Sequence, residues 1–129
     1  MNKLIEKYYI NQKLNCAETI LLMANEEYNL ELSNESISLI KGFGGGMSKE
    51  LVCGAITGGI ATLSYIFNKN NFLKEATIEF LDKCQDKFQS VDCSKIKPNF
   101  RKEDIGCHNT IDITYKTLKE IIDKYKKEN

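Results

Sequence analysis

The spacing of apolar residues predicts helices along nearly the whole chain. Residues 15–28 place Ala17, Ile20, Leu21, Ala24 and Tyr28 on one helical face, with Asn15 as a cap and Glu18 three residues later. Ser33 caps a second, short segment with Ile37 and Ile40 inward. A third helix is predicted from a cap at Ser48 to about Phe67, and a fourth from about Phe72 to Phe88 with Leu73, Ala76, Phe80, Cys84 and Phe88 in one stripe. The last begins between Asp104 and His108 and turns Ile111, Tyr115, Leu118, Ile122 and Tyr125 inward. Its end carries Lys124, Lys126 and Lys127, where cations meet the negative pole of the helix dipole. Alternation of strand period is not sustained anywhere. The expected class is all-α, a compact bundle of about five helices with a short helical turn near Cys93.

The third helix stands apart, because Leu51 to Phe67 is apolar or small throughout, the pattern of a helix covered on all sides. A glycine- and alanine-rich apolar helix over about 48–67 is therefore expected at the centre of the bundle. Gly54, Ala55, Gly58, Gly59 and Ala61 would admit close neighbours, although each glycine costs about 1 kcal/mol of helix propensity relative to alanine. Gly54 and Gly58 also form a G-x-x-x-G pair, so a membrane span competes. Seventeen residues lie at the lower limit for a span and the other helices are amphipathic, so no membrane association is expected.

At 129 residues the chain matches one domain, taken as 1–129. It is 42% hydrophobic and 28% charged, as a folded protein is, and its 18 Lys+Arg balance 18 Asp+Glu. That balance removes the basic footprint of a nucleic-acid binder. The first residues, Met-Asn-Lys-Leu-Ile-Glu-Lys, lack the apolar run of a secretory signal, so a cytoplasmic location is expected. Five cysteines in a reducing compartment point to metal ligands or catalytic thiols rather than a permanent disulfide framework.

Four of the five fall just inside predicted helix beginnings. Cys16 follows Asn15, Cys53 lies shortly after Ser48, Cys93 follows Asp92, and Cys107 is placed in the first turn of the last helix. Unpaired N–H groups and a partial positive charge at such positions favour thiolate, the form that attacks disulfides and binds metals. His108, the only histidine, follows Cys107 and is either a ligand or a source of positive potential. Cys84 lies mid-helix on the inward stripe and reads as a small core residue. The spacings contain no C-x-x-C, so no local zinc or ferredoxin motif applies. Before the central helix, Gly42-Phe43-Gly44-Gly45-Gly46 reads either as a loop whose backbone approaches an anion or cofactor or as a sharp turn needing positive φ. No nucleotide-binding fingerprint is present.

In order along the chain, Asn15-Cys16-Ala17-Glu18, Gly42-Phe43-Gly44-Gly45-Gly46-Met47, Cys53-Gly54-Ala55-Ile56-Thr57-Gly58 and two later single cysteines resemble the C-GCAxxG-C-C family of redox-active proteins. The resemblance covers most of the chain. It places the four family cysteines on Cys16, Cys53, Cys93 and Cys107 and leaves Cys84 unmatched. It implies redox activity, often beside oxidoreductase or transporter genes, and a distant kinship to the iron-sulfur portion of split-Soret cytochromes. No C-x-x-C-H haem site exists here, so the haem part of that kinship does not carry over.

Three functions follow as expectations. In the first, Cys16, Cys53, Cys93 and Cys107 hold an iron-sulfur cluster or another thiolate-bound metal for electron transfer with a redox partner protein. Gly44, Gly45, Gly46 and Gly54 would then make room for it and supply N–H groups to its sulfurs. A closed zinc site would be structural instead. In the second, a low-pKa Cys53 attacks an oxidised substrate and another cysteine resolves the mixed disulfide. In the third, the chain is a helical binding module whose cysteines merely pack. A homodimer is a further expectation, with a cluster bridging two subunits through near-surface glycines.

Overall fold

The computed structural model describes residues 2–127. Seven helices follow one another: α1 (Lys3–Ile5, continuing as wider π-helical turns over Glu6–Asn11), α2 (Cys16–Glu27), α3 (Asn34–Ser38), α4 (Gly54–Ile66), α5 (Leu73–Phe88), α6 (Cys93–Phe100) and α7 (His108–Lys127). Among the described residues there is no sheet; two isolated antiparallel bridges, Val52 with Asp92 and Lys102 with Gly106, are the only extended pairings. The class is all-α; the N-terminal helix is added to the five expected, and the short helical turn expected near Cys93 is the eight-residue α6. No helix of the described residues is long and apolar enough to cross a membrane.

Local signals set several boundaries. Asn15 and Glu18 form a reciprocal capping box at the start of α2, each side chain bonded to the other's backbone N–H at 2.9–3.0 Å. Ser33 caps α3 by accepting from the Ser36 N–H. Gln89, at φ 61°, ends α5 in the left-handed conformation. The predicted inward stripes of α5 and α7 are buried, including Phe80, Cys84, Ile111, Leu118 and Ile122, except for Leu73 at the start of α5, which is half-buried.

The predicted start of the central helix at Ser48 is corrected. Gly45, Gly46, Met47 and Ser48 all have φ near +60°, a run that turns the chain and cannot begin a right-handed helix. Val52 then pairs in extended form with Asp92, and α4 starts only at Gly54, with Cys53 in the cap position. The full coverage expected of this helix holds on three sides. Its fourth face, with Thr57, Ile60, Ala61, Ser64 and Tyr65, borders an open apolar groove of about 660 Å³ whose rim includes Leu39 at 80% exposure.

The glycines of α4 explain why it tolerates their poor propensity. A Cβ at Gly58 would come within 2.7 Å of the Ala17 carbonyl oxygen, and one at Gly54 within 2.5 Å of the Cys16 sulfur. A Cβ at Gly59 would enter the Phe80 ring at 2.6 Å. The G-x-x-x-G pair thus seats α2 against α4 inside one protein core, and Gly59 receives α5. Gly58→Val is expected to lower the unfolding free energy by about 2 to 3 kcal/mol through overpacking. Gly42→Ala, where an added Cβ meets nothing within 4 Å, should be neutral. Urea denaturation of both variants checks this; equal midpoints would mean that α2 and α4 do not approach as described.

Candidate functional site

The beginnings of α2, α4, α6 and α7 meet at one end of the bundle. Cys16 is the first residue of α2 and Cys93 the first of α6, while Cys53 occupies the cap position of α4. Cys107 stands just before α7, its carbonyl accepting from the Ile111 N–H at 2.9 Å, so it caps this helix and does not lie within its first turn as expected. All four line a single pocket of about 230 Å³, together with Tyr9, Asn15, Gly45, Gly54, Lys97 and Arg101. Cys84 is remote from it, fully buried on α5 in the apolar core. All five cysteines are unpaired.

Backbone pairings fix the sulfurs relative to one another. The Cys53 N–H donates to the Val91 carbonyl at 2.8 Å, and the Cys93 N–H donates to the Leu51 carbonyl at 2.6 Å. These two bonds frame the Val52–Asp92 bridge and hold the α4 and α6 starts side by side. Gly54 lets the Cys16 sulfur lie directly on α4. Across the pocket, Lys102 and Gly106 exchange backbone bonds at 2.7 and 2.9 Å and close the loop that presents Cys107.

The glycine loop forms the sharp turn that was one of its two anticipated roles. Gly45 and Gly46 take positive φ, and the Gly45 N–H acts to lower the Cys16 pKa. Gly44 leaves space for the Asn15 side chain, whose amide donates to the Lys41 carbonyl at 2.9 Å. A Cβ at Gly46 would meet the Leu51 backbone at 2.5 Å and the Cys93 Cβ at 3.0 Å. Of the four glycines, Gly45 and Gly54 line the pocket itself, and Gly44 and Gly46 pack just behind it.

Electrostatics overturn the expectation of a low-pKa thiol. Burial pushes Cys53 up to about 12, against the charge-stabilising N–H groups of Ile56 and Ala55, with the neighbouring Cys16 adding to the rise. Burial likewise raises Cys16, opposed by the Gly45 N–H, and Cys93, opposed by Lys97. The helix beginnings act in the anticipated direction, but loss of solvent outweighs them. Cys84 is also pushed up to about 12 by burial.

His108 does not join the pocket. Its ring is buried, and neither nitrogen has a hydrogen-bond partner among the described residues. Five pocket residues escaped the sequence reading: Tyr9, Ile96, Lys97, Arg101 and Thr110. Lys97 and Arg101 recur four and eight residues after Cys93, a helical spacing that was legible. Tyr9 carried no such signal: its hydroxyl accepts the Cys107 N–H at 2.9 Å from 98 residues away. Among the described residues, no three His, Cys, Asp or Glu side chains are grouped as one metal ion would require.

The family model described as "Putative redox-active protein (C_GCAxxG_C_C)" matches residues 14–129, a span that contains all four pocket cysteines. No curated protein and no solved structure matches the chain.

The folded, metal-free protein keeps Cys53 and Cys84 protonated from 9.0, their ordinary value, up to about 12. The unfolded chain binds fewer protons in that interval, so stability falls as pH rises through it. Cys84→Ala is expected to flatten this decline relative to the wild type, as read from urea midpoints across the same interval. Parallel profiles for the two proteins would contradict the assigned burial of Cys84.

Proposed function

This chain belongs to the C_GCAxxG_C_C family, whose members are described as redox-active, and from that premise we propose that it binds an iron-sulfur cluster through Cys16, Cys53, Cys93 and Cys107 and transfers electrons. The observation that carries the reading is the convergence of four cysteines from four separate helix beginnings on one pocket of about 230 Å³.

The donor set fits such a group in three respects. Four thiols are the usual ligand set of a cluster, and a bound metal deprotonates a coordinating thiol outright, reversing the preference for the neutral form that burial imposes. The N–H groups of Gly45, Ala55 and Ile56 favour negative charge on the Cys16 and Cys53 sulfurs, and Lys97 and Arg101 stand at the pocket to offset anionic charge. A single tetrahedral ion needs its sulfurs about 2.3 Å from one centre. A pocket of about 230 Å³ lined by four cysteines offers room for a polynuclear cluster as well as for such an ion. When bound, the group would supply one-electron chemistry, while the chain presents the four cysteines from the starts of four helices.

Thiol-disulfide exchange led by Cys53 is the weaker reading, because a thiol pushed up to about 12 holds little attacking thiolate at neutral pH. A reducing compartment such as the cytoplasm would suit buried free thiols and an oxygen-sensitive centre.

Anaerobically purified protein is expected to contain iron and acid-labile sulfide, with visible absorption and, in one oxidation state, an electron paramagnetic signal. Serine at any one of Cys16, Cys53, Cys93 or Cys107 should sharply reduce the iron content, while Cys84→Ala should retain it. A metal-free protein whose thiol pairs are reversibly oxidised to disulfides, two electrons being lost per pair and regained on reduction, would sink the proposal.

A further inference from the structure

The N-terminal helix contributes one residue to the pocket, and it does so by an unusual route. Tyr9 lies in the π-helical stretch Glu6–Asn11, where wider turns shift the register of the side chains that follow. Its hydroxyl oxygen accepts the Cys107 N–H at 2.9 Å. A phenol offers one proton as well as lone pairs, and this phenol is half-buried. With the oxygen engaged by the Cys107 backbone, the proton is left free to turn into the pocket that Tyr9 lines together with Cys107 and Cys16.

The chain makes specific room for this hydroxyl. Gly106, directly before Cys107, has φ +56°, and a Cβ there would come within 2.6 Å of the Tyr9 oxygen. The Lys102–Gly106 bridge holds the glycine in that place. A side chain at position 106 would both strain the turn and displace the phenol. Tyr9 precedes the segment matched by the family, residues 14–129.

We propose that Tyr9 is a positioning residue that sets the reduction potential of the redox centre: its hydroxyl clamps the Cys107 backbone and donates its proton to the Cys107 sulfur, with Gly106 supplying the space. A hydrogen bond to a ligand sulfur favours the more negatively charged, reduced form, because charge-assisted bonds are the stronger ones. Tyr9 therefore raises the potential. The same sign holds if the centre is a disulfide, since the bond stabilises the reduced sulfur. The inference rests on the reading above only in requiring that Cys107 belong to the redox centre.

Anaerobic redox titrations of wild type, Tyr9→Phe, Gly106→Ala and the double variant test it, each sample also assayed for iron, sulfide and thermal midpoint. Tyr9→Phe keeps the ring and is expected to lower the midpoint potential at unchanged cofactor content. Gly106→Ala should lower it in the same direction, and the double variant should fall no further than the larger single effect. An unchanged potential in Tyr9→Phe at full content overturns the inference, as does a double variant whose shift is the sum of the two. A merely structural role would move the thermal midpoint and leave the potential in place. Should the wild type hold no iron or sulfide, the cluster reading fails separately, and the same comparison is made by dithiol titration of the thiols.

Discussion

The architecture depends on the absence of side chains at Gly54 and Gly58. An α2 helix separated from α4 by an ordinary interhelical distance would carry Cys16 away from Cys53 and open the pocket to solvent. With two glycines one turn apart, the Ala17 backbone and the Cys16 sulfur lie directly on α4. Each glycine costs about 1 kcal/mol of helix propensity, a cost offset by the apolar surface of Ile20, Met23, Ile56 and Leu63 that the close approach buries. The same approach joins packing to chemistry. The residues that stabilise the bundle and those that place the sulfurs occupy successive turns of two helices.

The pocket thiols sit between two opposed electrostatic effects. Helix beginnings favour negative charge by about 0.3 to 1 kcal/mol, and by about 2 kcal/mol in partly buried settings. The rise of Cys53 from 9.0 to about 12 corresponds to roughly 4 kcal/mol in the other direction. Burial prevails at Cys16, Cys53 and Cys93, where it favours the neutral thiol. The N–H groups are nevertheless in place, oriented toward charge that the isolated protein does not carry. A protein built in this way spends little on reorganisation when a cation-bearing group supplies the missing counter-charge.

What the sequence disclosed followed the range of each signal. The capping box at Asn15 and Glu18, the stripes of α5 and α7 and the core placement of Cys84 are local patterns, and all appear in the structure. The start of α4 was misplaced because Met47 and Ser48 adopt positive φ, which neither residue type advertises. The grouping of the four cysteines was suggested by their common position at helix beginnings, but their convergence depends on backbone bonds between segments about 40 residues apart, such as Cys53 with Val91. Tyr9 was illegible for the same reason at greater range. The pKa directions were missed because dipoles can be inferred from helix ends, whereas desolvation depends on what covers the sulfur in three dimensions.

The polarity of the bundle has an evolutionary consequence. Every cysteine of the pocket lies at the start of its helix, so the C-terminal ends of α2 and α4 point toward the opposite pole, roughly 20 Å away for the 13 residues of α4. The connections at 28–33 and 67–72 lie at that pole, remote from the sulfurs. Descendant sequences can lengthen or shorten these connections, or graft new recognition surfaces there, without moving the four sulfurs. The connections 44–52 and 101–106 have no such freedom, because each delivers a cysteine.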